Sequence, residues 1–110
     1  MQGEKQLRIA KYFGEANQIL KAHEELEEIK EALEDYCNNQ NIDTLKHTLN
    51  EVYDLANVLE GIYRLMGGSL EEIASDKEYK LCKTISIINK IPTGTKEEDR
   101  LTEYEKIRRG

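Results

Sequence analysis

Residues 15–36 read Glu15-Ala16-Asn17-Gln18-Ile19-Leu20-Lys21-Ala22-His23-Glu24-Glu25-Leu26-Glu27-Glu28-Ile29-Lys30-Glu31-Ala32-Leu33-Glu34-Asp35-Tyr36. Ile19, Ala22, Leu26, Ile29, Leu33 and Tyr36 recur at steps of three and four, the period of an amphipathic helix and not the alternation of a strand. Gly14 stands ahead of this helix and the polar run Asn38-Asn39-Gln40-Asn41 behind it, both breakers. The only proline is Pro92, so no proline interrupts the first 91 residues.

Outward from that helix, the pattern predicts a short first helix from Glu4 to Phe13, closed by Gly14. A third helix is expected to start near Asp43 or Thr44, either of which can cap it, and to end at Gly67-Gly68. Leu45, Leu49, Val52, Ala56, Leu59, Tyr63 and Met66 form an unbroken seam along it, and Leu55, Val58, Ile62 and Leu65 a second stripe beside the first. A helix that is apolar on two faces has to be covered on both, which a homodimer or homotetramer does more readily than one short chain. Ser69 and Glu72 have capping-box spacing at the start of a fourth helix that reaches about Lys90, before Pro92. Its face is Leu70, Ile73, Lys77, Leu81, Ile85 and Ile88. Thr95 and Glu98 repeat the capping spacing, so residues 92–110 form a charged tail or a short helix. The expected fold is all-α, like a four-helix bundle over residues 1–91, completed by oligomerisation.

A chain of 110 residues suits one domain. Its net charge of −6 argues against direct nucleic-acid binding, which favours a basic surface. An acidic chain can still bind a polyphosphate when divalent cations invert the local charge. Cys37 and Cys82 form no CxxC, and with His23 and His47 make no zinc-finger spacing, which suits reduced thiols in a cytoplasmic protein. The segment from Met1 to Glu15 has no signal-peptide core, and no stretch is long and apolar enough for a membrane span.

The acids of the second helix divide by rotation. Glu24, Glu27 and Glu31 point away from the apolar stripe and read as a solvated face paired with Lys21 and Lys30. Glu25 lies about 60° from the centre of the stripe, at about 100° per residue, and so sits at the core boundary, with Glu28 flanking the same side. On the third helix Glu51 and Asp54 fall in line with the second apolar stripe. A carboxylate where the pattern asks for an apolar side chain must pair, take up a proton or bind a cation. Four convergent carboxylates suit Mg²⁺, with Mn²⁺ as a substitute. A di-iron bundle would need Glu-x-x-His, which is absent, since Leu20 and Thr44 stand three residues before His23 and His47. His47 and Glu51, four apart, could share a metal.

Glu24-Glu25-Leu26-Glu27-Glu28 and then, after a gap of 22 residues, Glu51-Val52-Tyr53-Asp54 resemble the EExxE…ExxD signature of the MazG-like all-α nucleoside triphosphate pyrophosphohydrolases. Phe13-Gly14-Glu15-Ala16-Asn17-Gln18 and Leu55-Ala56-Asn57-Val58-Leu59 resemble the flanking segments of that family. The resemblance spans roughly residues 12–90. It implies a MazG-type fold and a Mg²⁺-dependent hydrolase that splits an NTP or dNTP into the monophosphate and pyrophosphate. It also implies metal ligation by Glu25, Glu28, Glu51 and Asp54, with Glu24 a weaker catalytic candidate. Lys80 and Lys83 on the fourth helix would meet phosphate, and Gln18 and Asn57 the base or sugar. Tyr12, Phe13 and Tyr53 are candidates for stacking on a base. The alternatives are a non-catalytic helical interaction protein, or a related pyrophosphohydrolase such as phosphoribosyl-ATP pyrophosphatase.

Overall fold

The computed structural model describes residues 4–110; the first three residues of the expected 1–91 domain lie outside the described part. The described chain is all-helical: α1 Glu4–Phe13, α2 Glu15–Asn38, α3 Ile42–Leu65, α4 Leu70–Ile88 and α5 Glu97–Arg109. It divides into two compact units, Met1–Ser69 and Leu70–Gly110. In the first unit α3 packs along α2 and, over a shorter length, against α1.

Gly14 joins α1 to α2 with φ +90°, a left-handed conformation in which a Cβ would be strained. Its N–H closes α1 on the Ala10 carbonyl at 2.8 Å, and its own carbonyl accepts from Gln18 at 3.0 Å to open α2. Asn41 caps α3, two or three residues before the expected Asp43 or Thr44. Its Oδ1 accepts from the N–H groups of Asp43 at 2.9 Å and Thr44 at 3.0 Å. The Asn41 N–H donates back to Thr44 Oγ1 at 3.3 Å, completing a reciprocal box. At the other end Gly67, with φ +89°, allows the N–H groups of Gly67 and Gly68 to reach the carbonyls of Arg64 and Tyr63, each at 3.0 Å. This Schellman arrangement satisfies carbonyls that a helix end leaves unpaired.

The buried face of α2 is rotated from the stripe that periodicity picks out. Gln18, Ala22, Glu25 and Ala32 are buried, with Ile29 and Tyr36 partly so, and they follow one another at steps of four and three. Ile19, Leu26 and Leu33 flank that face and stay exposed. On α3 the inward face is the second stripe: Thr48 and Gly61 are buried, and Glu51, Leu55, Val58, Ile62 and Leu65 partly so. The longer seam looks outward, with Leu45, Leu49, Val52 and Leu59 between 38% and 49% exposed.

Small residues bring the helices together. Ala10, Ala22 and Ala32 are the buried apolar residues among those described. A Cβ placed on Gly61 would lie 2.9 Å from the Gln6 carbonyl oxygen of α1 and 3.1 Å from Ala10 Cβ. Glycine in the middle of a helix costs about 1 kcal/mol relative to alanine, and this close crossing with α1 is what it permits. Thr48 hydroxyl donates within α3 to the Thr44 carbonyl at 2.9 Å and across to the Ala32 carbonyl of α2 at 3.3 Å.

In the second unit α4 pairs with α5. The C-terminal segment is therefore a helix, but the box expected from Thr95 and Glu98 does not start it. Thr95 hydroxyl instead donates to the Pro92 carbonyl at 2.7 Å, in a turn where Gly94 has φ +96°. Lys96 is the N-cap, without a side-chain capping bond. Arg108 and Arg109 pair with Glu105 at 2.7 and 3.5 Å. No helix among the described residues is long and apolar enough to cross a membrane.

A candidate metal centre on two helices

The buried face of α2 is turned by about 50° from the apolar stripe, at about 100° per residue, which takes Glu25 from the edge of the core into its face. Its side chain is only 4% exposed. Oε1 is paired with the Lys21 ammonium at 3.1 Å, one turn earlier on the same helix, while Oε2 is buried without a hydrogen-bond partner. Glu51, in line with the inward stripe of α3, has a side chain 15% exposed, and its Oε2 is likewise buried and unpartnered. An unsatisfied buried acceptor costs about 1–3 kcal/mol, more when charged.

Glu28, one turn after Glu25, completes the group. Glu25, Glu28 and Glu51 each bring a carboxylate oxygen within 4.8 Å of the others. Like charges this close repel one another. The Glu28 carboxyl is pushed above the ordinary carboxylate range, first by its hydrogen-bonding contact with Glu51, then by partial burial and by the Glu51 charge, partly offset by a contact with Glu25. A protonated Glu28 can donate to Glu51. His47 Nε2 lies 3.9 Å from Glu51 Oε1 on the outer side, where Glu31, Asp35 and His47 share a shallow cleft with Glu28 and Glu51.

Asp54 does not join this group. It is exposed, and its place is the wall of a neighbouring cavity of about 540 Å³, which Glu25 also lines. Glu51 and Asp54 are separated by about 300° of helical rotation, so when Glu51 faces the α2 seam Asp54 faces to one side of it. Gln18 and Asn57 line the same cavity. Gln18 is buried, and Asn57 accepts a hydrogen bond from Gln6 Nε2 at 3.1 Å. Lys5, Gln6, Ile9, Lys21 and Val58 complete the lining.

Lys5, Gln6 and Lys21 were not expected there. Lys21 stands four residues before Glu25, a spacing that places the two side chains together on a helix, but it reads equally well as a partner of the solvated acids. Lys5 and Gln6 reach the cavity through the α1–α3 crossing, and local spacing carries no trace of that. Glu24 is exposed and lies 3.5 Å from Lys21. Tyr12, Phe13 and Tyr53 are exposed. Lys80 and Lys83 are exposed residues of α4, in the second unit.

The donor set fits a hard divalent cation. Three carboxylates on two helices converge, and two of their oxygens are buried without a partner, the condition a bound cation would relieve. Comparison of the chain with models of known families, with curated proteins and with solved structures gives no match in any of the three.

Proposed function

We propose that the protein is a divalent-cation-dependent nucleotide pyrophosphohydrolase, a hydrolase of phosphoric anhydrides that converts an NTP or dNTP to the monophosphate and pyrophosphate. One observation carries this reading: buried carboxylate oxygens of Glu25 and Glu51, unpartnered and adjoining Glu28, sit beside a cavity lined by Lys5, Lys21, Gln18, Asn57 and Asp54. Carboxylates alone would repel a polyphosphate. Carboxylates with a cation, next to lysines and amides, can bind one.

Glu25, Glu28 and Glu51 would hold Mg²⁺ or Mn²⁺, which would supply neutralisation of phosphate oxygens and acidification of water. Lys5 and Lys21 offer positive charge to the phosphates on the cavity side. Gln18 and Asn57 offer amides to the sugar or base, with Gln6 fixing the Asn57 side chain. Asp54, on the cavity wall, provides a carboxylate able to orient an attacking water and accept its proton. Hydrolysis would break the anhydride linkage between the α and β phosphorus atoms, with water adding to one of the two, its proton passing to the base, and the other product leaving on the bridging oxygen, to give monophosphate and pyrophosphate.

The outward stripe of α3, Leu45, Leu49, Val52 and Leu59, with Leu26 and Leu33 of α2, supports an assembly of two or four copies that would cover it. The test of function is a panel of NTPs and dNTPs with Mg²⁺ or Mn²⁺, read as pyrophosphate release. Turnover of at least one nucleotide, lost in Glu28→Gln at unchanged helicity, supports the reading. No turnover of any member of the panel with either cation overturns it.

A further inference from the structure

Lys21 is placed to do two things in turn. Its ammonium is 3.1 Å from Glu25 Oε1 and 3.5 Å from Glu24 Oε2, and its pKa is raised, first by the hydrogen bond to Glu25. It also lines the cavity, alongside Lys5, Gln18 and Asn57. Glu25 is deeply buried and Lys21 is not: their side chains are 4% and 46% exposed. The carboxylate is therefore held by the core, while the ammonium swings on a flexible four-carbon stem.

We propose that Lys21 is an internal counter-ion for Glu25 that competes with the divalent cation and, once displaced, binds the phosphate of an anionic ligand in the cavity. This rests on the reading of Glu25, Glu28 and Glu51 as cation ligands. The ammonium and a divalent cation both need Glu25, and two positive charges at contact distance repel strongly where water is scarce. Arrival of the cation loosens the Lys21–Glu25 pair, leaving the ammonium between the exposed Glu24 carboxylate, 3.5 Å away, and the cavity that it already lines. The cation site and the phosphate site are then linked through one side chain: a cation releases Lys21 for phosphate, and phosphate draws Lys21 away from Glu25. By reciprocity of linkage each ligand strengthens the other by the same factor.

The test titrates Mn²⁺ alone into the full chain and reads the free ion by electron paramagnetic resonance. The variants are Lys21→Met, Lys21→Gln, Lys21→Arg and Lys5→Met. Position 21 is half-exposed on a helix, and methionine and glutamine are good helix formers, so the fold is retained, with circular dichroism as the check. Lys21→Met and Lys21→Gln should bind Mn²⁺ roughly two- to fivefold tighter, the range set by a half-exposed ion pair. Lys21→Arg should stay near wild type. Lys5→Met, which removes a cavity lysine with no ion pair to the ligand carboxylates, should change affinity by less than about twofold. Unchanged or weaker Mn²⁺ binding in Lys21→Met and Lys21→Gln overturns the proposal, and so does equal tightening in Lys5→Met, which would show a general field effect. Absence of Mn²⁺ binding to the wild type overturns the cation reading itself, and the proposal with it.

Discussion

Replacing Glu25 with leucine should make the cation-free protein more stable and abolish its response to cations. Glu25 sits in the α2–α3 seam between Ala22 and Ile29, with one carboxylate oxygen buried and unpartnered and with Glu28 and Glu51 within 4.8 Å. Removing the unsatisfied acceptor recovers about 1–3 kcal/mol. Relief of repulsion acts in the same direction, damped by the proton that Glu28 can take up. Loss of the Lys21 pair opposes it by about 0–1 kcal/mol, because Lys21 is half-exposed. The net gain is about 1–2 kcal/mol, on the order of 5–10 °C in melting temperature for a domain of this size. The assay is thermal unfolding followed by circular dichroism, with chelator and with Mg²⁺ or Mn²⁺. Cation should raise the wild type by about 2.7 kcal/mol at a hundredfold excess over its dissociation constant and leave Glu25→Leu unmoved, reversing their order. If Glu25→Leu melts below the wild type in chelator and the wild type ignores cations, the buried carboxylate is an ordinary structural group and the reasoning fails.

Three further outcomes follow from the same structure. Because the folded-state pKa of Glu28 is raised, its contribution is fully present below the ordinary carboxylate pKa and is lost as pH rises through the raised value; denaturant unfolding in chelator should show stability falling over that window, with a shallower fall in Glu28→Gln. Gly61→Ala gains about 1 kcal/mol of helix propensity but meets the Gln6 carbonyl oxygen at 2.9 Å, and overpacking of about 1–3 kcal/mol should prevail; a urea midpoint at or above wild type would mean that the crossing yields. Light scattering should give a mass of two or four times 12.8 kDa, falling to one in Leu49→Glu on the outward stripe of α3; a wild-type monomer would refute the assembly.

The helices were legible because their signals are local. Gly14, the Asn38–Asn41 run and Gly67-Gly68 sit at the ends where backbone chemistry puts breakers, and α2 begins where Glu15 predicts. Asn41 caps α3 in place of Asp43 or Thr44 because all three are capping types, and the choice among them depends on where the chain turns. The face of α2 departs from the apolar stripe for a different reason. Large side chains dominate a periodicity count, but here alanine, glutamine and a glutamate fill the closest contact, and Ile19, Leu26 and Leu33 lie beside it. Gly61 was the available clue, since glycine inside a helix usually marks close packing. Among the acids, Glu25, Glu28 and Glu51 could be picked out by rotation, and the structure brings them together. Asp54 could not be separated from them, because a step of three residues leaves a side chain near enough to count as the same face. The cavity lysines and Gln6 depend on how α1 crosses α3, and no spacing within a helix encodes that.

Glu25, Glu28 and Glu51 are proposed to hold a divalent cation. Crystals grown with Mn²⁺ and measured for its anomalous scattering address it directly. An anomalous peak bounded by carboxylate oxygens of those three residues, and missing from Glu51→Gln crystals, is the expected result. Mn²⁺ found elsewhere, or no peak at concentrations that saturate binding in solution, would contradict it.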